Sequence, residues 1–186
     1  MKPSVLVFST SAGADSKSRT AAEVLVTCLR RRGVATEFAD VRDLPPVWVT
    51  GAGLDGAGPK WMEVGKKVEQ AATIVFTAPV HCFTVGSPTR VVAELVSGKL
   101  AGKPVGLITA AGSPRSALAH RDFLYSLCDE VGAQILPKTV QVTGTDFTDT
   151  GEMSEEIQQR IAAFADAVVS ATCAQIAQIA IKETVA

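Results

Sequence analysis

The sequence has no surplus of charge, few aromatic side chains and no paired cysteines, and each shortage excludes a class of function. Lysine and arginine number 18 against 19 aspartates and glutamates, so no basic face exists to neutralise a phosphate backbone. Only 5% of residues are aromatic, which leaves little surface for stacking bases. Nucleic acid is therefore not an expected partner. Cys28, Cys82, Cys128 and Cys173 lie far apart with no CxxC spacing, which argues against a zinc site or a disulfide framework. Three of the four fall on expected helices and read as core filler. The apolar run behind Lys2 spans only Val5 to Phe8, shorter than the ~7–15 residues of an export signal, and no later stretch is expected to approach a membrane span. The expectation is a cytoplasmic protein with no membrane partner.

What is present is a regular alternation of apolar segments. With 186 residues and 47% hydrophobic composition, the chain has material for one well-buried core, and a single domain over 1–186 is expected. Val5 to Phe8 reads as a strand, followed by a loop of small and hydroxyl residues and a helix from about Arg19 to Arg32 that Gly33 stops. Ser16 or Ser18 would cap that helix. Ala35 to Val41 reads as a second strand, Trp48 to Gly58 as a mobile Gly-rich loop, and Pro59 to Glu69 as a helix. Thr73 to Ala78, apolar on both faces, reads as a buried parallel strand stopping at Pro79, with a helix from about Pro88 to Val96. Pro104 to Ala110 and Gln134 to Val142 are the remaining strands, separated by a helix from about Ala117 to Val131. A long helix from about Ser154 closes the chain, with Ile157, Ile161, Phe164, Val168 and Val169 as its inward stripe. Five strands alternating with five helices predict an α/β fold with a five-stranded parallel sheet of order 2-1-3-4-5 and helices on both faces. In that order a ligand lies at the switch point, against the loops that follow the first and third strands.

The first loop has neither the GxGxxG nor the GxxxxGK[ST] pattern. It offers Ser9, Thr10, Ser11, Ser16 and Ser18 as hydroxyl donors and Lys17 as a charge, at the start of a helix whose free N–H groups and dipole favour an anion. A terminal monophosphate fits; a solvated serine-rich turn with one helix cap is the plainer alternative. The second loop, Pro79, Val80, His81, Cys82 and Phe83 onward, faces the same crevice and suits the edge of a flat heteroaromatic ring, with His81 equally readable as a structural loop residue. Cys82 would need an arginine at the position of Pro88 to form a phosphatase Cx5R loop, and Arg90 comes two residues too late. The third loop, Ala111, Gly112 and Ser113, is small enough to let a ring approach the backbone, or is an ordinary strand-to-helix turn.

Three landmarks in this order resemble the NAD(P)H-dependent FMN reductase family of the flavodoxin-like fold. They are the hydroxyl loop, similar to a GSxRxxSxT/N pattern through Ser11, Ser16 and Ser18; the run PVHCFTVGSPTRVVAEL from Pro79; and LAGKPVGLITAAGS from Leu100. The sequence departs from the pattern at Thr10 (for Gly), Gly13 (for Arg), His81 (for Tyr), Thr89 (for Leu) and Ala111 (for Gly). The resemblance implies FMN as cofactor and NADPH or NADH as donor, with electrons passing to a small-molecule acceptor of flavin, quinone, azo or metal-ion type. It implies that FMN carries the hydride chemistry and that the protein supplies no catalytic acid or base. Ser11, Ser16, Lys17 and Ser18 would hold the phosphate, with Lys17 standing in for the missing arginine; Pro79 to Phe83 would hold the ring edge, and Ala111 to Ser113 its other side. Arg90 takes the family's basic position or pairs with a surface carboxylate. Family members are commonly dimers or tetramers, and Ile176, Ile179 and Ile181 reaching past the core fit a homo-oligomer. The competing class is an FMN-binding electron-transfer or sensory module without nicotinamide turnover.

Overall fold

The computed structural model describes residues 4–185, so Lys2 lies outside the described residues. Strand β1 (Ser4–Ser9) leads through the hydroxyl-rich loop into α1 (Lys17–Arg31), followed by β2 (Ala35–Asp40). After α2 (Gly53–Ala57) and α3 (Pro59–Gln70) come β3 (Thr73–His81), β4 (Thr84–Val85) and α4 (Ser87–Val96). The chain continues through β5 (Pro104–Ala110), α5 (Leu118–Asp129), β6 (Gln134–Ile135), β7 (Val140–Val142) and α6 (Glu155–Val185).

The sheet runs β2-β1-β3-β5-β6, with β7 also paired to β5 and β4 antiparallel to β3. Taking β6 and β7 as one interrupted strand recovers the expected 2-1-3-4-5 order, so the flavodoxin-like architecture holds with seven strands rather than five. The interruption falls at Leu136 and Pro137: Leu136 is still bonded to Val105, but the proline that follows has no N–H for the ladder. The second difference is at Pro79, which does not end its strand. Pro79 forms the last rung against Ala110, and its carbonyl accepts from the Gly86 N–H at 2.8 Å, so β3 continues to His81 and turns back as β4. The Trp48–Gly58 segment, expected as a mobile loop, contains α2, whose Leu54 packs against the core and fills the space left by Gly65 of α3.

Side chains of β1 alternate between two cores. Leu6 and Phe8 join Ile74, Phe76 and Leu107 under α3, α4 and α5; Val5 and Val7 join Val75 and Ile108 under α1 and α6. Both faces are covered, which is why β1 and β3 read as unbroken apolar runs. Helix α1 starts where Ser16 Oγ accepts the Arg19 N–H at 3.2 Å, and Gly33, at φ 76°, turns the chain out after its end. The lysine of the LAGKP run is structural: Lys103 Nζ donates to the carbonyls of Glu69 (2.9 Å) and Ala71 (2.6 Å), fastening the end of α3 to β5. Burial pushes its ammonium pKa down.

Helix α6 spans 31 residues, about 46 Å at ~1.5 Å per residue. Ile157, Ile161, Phe164 and Val168 are buried as expected, with Val169 at the margin, and Thr172 donates to Thr73 of β3 at 2.8 Å. By length and hydropathy alone α6 is long and apolar enough to cross a membrane, which corrects the expectation that no stretch approaches a span; its first half is nonetheless committed to the sheet. Two of the cysteines are also corrected. Cys128 and Cys173 are exposed on the outward sides of their helices, whereas Cys28 is half-buried and packs against the core under α1 and α6.

Candidate functional site

Strand register alone gathers the three loops. Ser9 pairs with Thr77, Pro79 with Ala110, and Ala110 with Val142, so loops starting at residues 10, 82, 111 and 143 leave one sheet edge from rungs about 5 Å apart. The fourth of these, after β7, was not singled out from the sequence.

At the first loop, Ser9 is fully buried at the end of β1, and its Oγ has no hydrogen-bond partner among the described residues. A buried hydroxyl left unmatched beside an open loop asks for a ligand. Ser16 Oγ lies 3.0 Å from Ser18 Oγ, and no acid stands in the first turn of α1 to compete with an anion. Lys17 is exposed, forms no ion pair with a described residue, and places Nζ 5.2 Å from the Phe147 ring centroid, over the loop after β7. Thr10 is different from its neighbours. Its N–H donates to the Thr77 carbonyl at 3.0 Å and its hydroxyl donates to the same oxygen at 2.8 Å, so both donors are spent on the sheet.

At the second loop, Cys82 and Phe83 occupy the two positions of a hairpin turn bracketed by the His81–Thr84 pair, with φ of 50° and 61°. That pattern fits a type I′ turn, which favours Asn-Gly and holds two bulky L-residues in the left-handed region at a cost. The turn pushes Phe83 into solvent at 60% exposure; His81 and Cys82 are exposed beside it, and Pro79 and Val80 are half-buried. Replacing Cys82-Phe83 by Asn-Gly is expected to raise unfolding free energy by about 1–2 kcal/mol in urea titration; a loss would mean that the turn is not strained. Arg90 does not reach the crevice. It pairs with Asp122 of α5 and donates to Thr84 Oγ1 at 3.2 Å, the surface-carboxylate alternative.

At the third loop, the Ala111 N–H is tied to the Val142 carbonyl (2.9 Å), and Gln141 Nε2 donates to the Ser113 carbonyl at 2.8 Å. A Cβ on Gly112 would meet nothing within 4 Å, so this residue borders open space. Behind the loop sits His120, which sequence reasoning missed. Its Nε2 bonds Thr109 Oγ1 of β5 and its Nδ1 bonds Thr139 Oγ1 at 2.9 Å, joining β5, α5 and the approach to β7. A histidine in the first turn of an amphipathic helix carries no signal of such a role. Burial pushes the His120 pKa down. The folded chain therefore binds fewer protons than the unfolded one as pH falls through the ordinary histidine value of ~6.5, and stability is lost there until the lowered folded value is passed. The stability difference between wild type and His120→Gln is expected to shrink from pH 7.5 to pH 5; a constant difference would contradict the buried neutral ring.

Residues 3–148 match the family described as NADPH-dependent FMN reductase. The chain belongs to that family. Among curated proteins none matches significantly. Solved structures agree on the fold: an oxidoreductase from Corynebacterium diphtheriae is 20% identical with TM-score 0.73, covering 92% of this chain and 97% of that one. The apo NADH:FMN oxidoreductase EMOB is 18% identical with TM-score 0.74, covering 93% and 90%. The flavoenzyme NAD(P)H:(acceptor) oxidoreductase FerB of Paracoccus denitrificans is 18% identical with TM-score 0.69, covering 91% and 98%. Family membership makes the chain a flavin-dependent oxidoreductase with FMN as cofactor and a reduced nicotinamide as donor.

Against the family pattern, two departures turn out to be one. Thr10, in place of Gly, and Thr89, in place of Leu, are both buried, and their hydroxyls are hydrogen-bonded at 2.7 Å. The pair ties the start of the phosphate loop to α4: with the Thr10 proton given to the Thr77 carbonyl, Thr89 donates and Thr10 accepts.

Proposed function

We propose that the chain is an FMN-dependent NAD(P)H oxidoreductase of the flavin, quinone, azo or metal-ion reductase type. The observation that carries this reading is the buried, unpartnered Ser9 Oγ at the end of β1, where the loop to α1 begins. In this reading Ser11, Ser16 and Ser18 donate hydroxyls to the FMN phosphate, Ser9 supports it from below, and Lys17 swings from the Phe147 ring to supply the charge that Gly13 cannot. Thr10 shapes the loop and is not a phosphate donor. Pro79, Val80, His81, Cys82 and Phe83 border one edge of the ring, and Ala111, Gly112 and Ser113 border the other, where small side chains admit close approach.

Bound FMN supplies a two-electron acceptor for hydride. The chain's own residues orient and shelter it. The Ser16 to Ser18 turn fixes the phosphate end, the hairpin walls one side of the crevice, and Phe83 offers an apolar surface next to it. A homo-oligomer and a cytoplasmic setting belong to the same reading.

The test is anaerobic reduction of the FMN-loaded protein with NADPH and NADH in turn, followed by oxidised acceptors. Bleaching by either nicotinamide within seconds, with colour restored by a quinone or free flavin, is expected. A protein that holds FMN but is not reduced by either nicotinamide would instead be an electron-transfer module.

A further inference from the structure

We propose that Asp122 of α5 is a positioning residue for the flavin ring: through Arg90 and Thr84 it holds the Cys82–Phe83 turn in the left-handed geometry that walls the crevice. The ring contact rests on the FMN reading; the network itself does not. Strand β4 has only two residues, and they face opposite ways. Val85 is buried in the core that holds Val92 and Phe123, while Thr84 turns outward and its Oγ1 donates to Asp122 Oδ2 at 3.2 Å. Arg90 donates to the same carboxylate oxygen and, at 3.2 Å, to Thr84 Oγ1, so that β4, α4 and α5 meet in one three-membered network. The guanidinium also lies over the Phe123 ring, 5.8 Å from its centroid, which steadies it against the core.

A turn with two bulky residues at φ 50° and 61° persists only where its surroundings hold it. On the Pro79 side the hairpin is closed tightly. The Gly86 N–H bonds the Pro79 carbonyl at 2.8 Å, and a Cβ on Gly86 would lie 3.1 Å from Pro79 Cγ and 3.4 Å from His81 Cδ2. At the tip, His81, Cys82 and Phe83 are exposed, and none makes a side-chain hydrogen bond with a described residue. On the Thr84 side the side-chain hydrogen bonds among the described residues are those to Arg90 and Asp122. Asp122 therefore acts at one remove: it selects the conformation of the turn, and the turn meets the ring. A surface ion pair with no such role would alter neither the turn nor flavin affinity.

The test measures the effect of Asp122→Ala in two backgrounds, the native turn and a Cys82→Asn/Phe83→Gly turn, whose sequence favours the same geometry unaided. Without flavin, amide hydrogen exchange at Gly86, whose N–H closes the hairpin, is expected to quicken about fivefold with the native turn and less than about twofold with Asn-Gly. With flavin, affinity for FMN and for riboflavin is expected to fall by the same factor of about five, because the displaced wall faces the ring that both carry, and by less than about twofold in the Asn-Gly background. The thermal midpoint stays near that of wild type, since the Asp122 side chain is 57% exposed and pairs so exposed contribute little to global stability. Unchanged exchange, a loss of affinity confined to FMN, or an equal effect of Asp122→Ala in both backgrounds would overturn the proposal. Flavin binding left unaltered by Asp122→Ala overturns this assignment alone; a wild type that binds neither flavin overturns the FMN reading and the ring contact with it, while the exchange result still decides the network's hold on the turn.

Discussion

Replacing Ser16 by aspartate is expected to raise the FMN dissociation constant about a hundredfold without lowering the thermal midpoint. The two readouts separate because Ser16 has two jobs. As the N-cap of α1 it accepts the Arg19 N–H through its side chain, and aspartate does this equally well. A carboxylate also interacts favourably with the helix N-terminus, so stability is held or gains a few tenths of a kcal/mol. As a phosphate donor, however, Ser16 presents a hydroxyl beside Ser18 Oγ at 3.0 Å. Aspartate removes that donor and sets a negative charge against a dianion. At an effective dielectric constant of ~20 and ~5 Å separation, each unit-charge repulsion is about 3 kcal/mol before solvent screening, roughly a factor of 100 in affinity. Fluorescence quenching of FMN on titration with protein reads the first quantity and calorimetry the second. Unchanged FMN affinity would move the phosphate away from α1.

The second large effect is on stability. Phe164→Ala is expected to cost about 3–5 kcal/mol in urea denaturation, out of the roughly 5–15 kcal/mol that holds a domain of this kind. Phe164 is fully buried on α6 and packs over Gly106 of the interior strand β5. A Cβ at Gly106 would lie 2.8 Å from Phe164 Cζ and 3.0 Å from Leu136 Cδ1, so the ring occupies the volume that any other residue at 106 would claim. Gly106→Ala is accordingly expected to be destabilising by about 1–3 kcal/mol through overpacking. A cost below about 1 kcal/mol for Phe164→Ala would show that α6 is not seated on β5 as described.

The parts of the fold that were legible in the sequence share a physical cause. Strands buried on both faces, such as Val5–Phe8 and Thr73–Ala78, are unbroken apolar runs, and helices bounded by Ser16 and Gly33 or opened by Pro59 carry their own punctuation. The β3–β4 hairpin was hidden because Cys82-Phe83 is a poor type I′ sequence, and proline at 79 reads as a terminator although its carbonyl still bonds. The split of the last strand depends on which half of β5 each piece meets, a long-range choice that no local pattern records. At the site, hydroxyls in the first loop could be counted but not sorted. Only the structure separates Thr10, whose donors are spent, from Ser9, whose oxygen is unmatched. Thr10 and Thr89 looked like two independent oddities 79 residues apart until the fold brought their hydroxyls together.

The central claim is that the N-terminus of α1 seats the phosphate of FMN. The measurement that meets it most directly is an equilibrium titration of the purified protein with FMN and, in parallel, with riboflavin, which has the same ring and no phosphate. Visible flavin absorption is expected to follow the protein through gel filtration with FMN, and affinity for riboflavin to be lower by a factor of at least about a hundred, since charge-assisted phosphate contacts are lost. Equal affinity for the two flavins, or no binding of either, would contradict it.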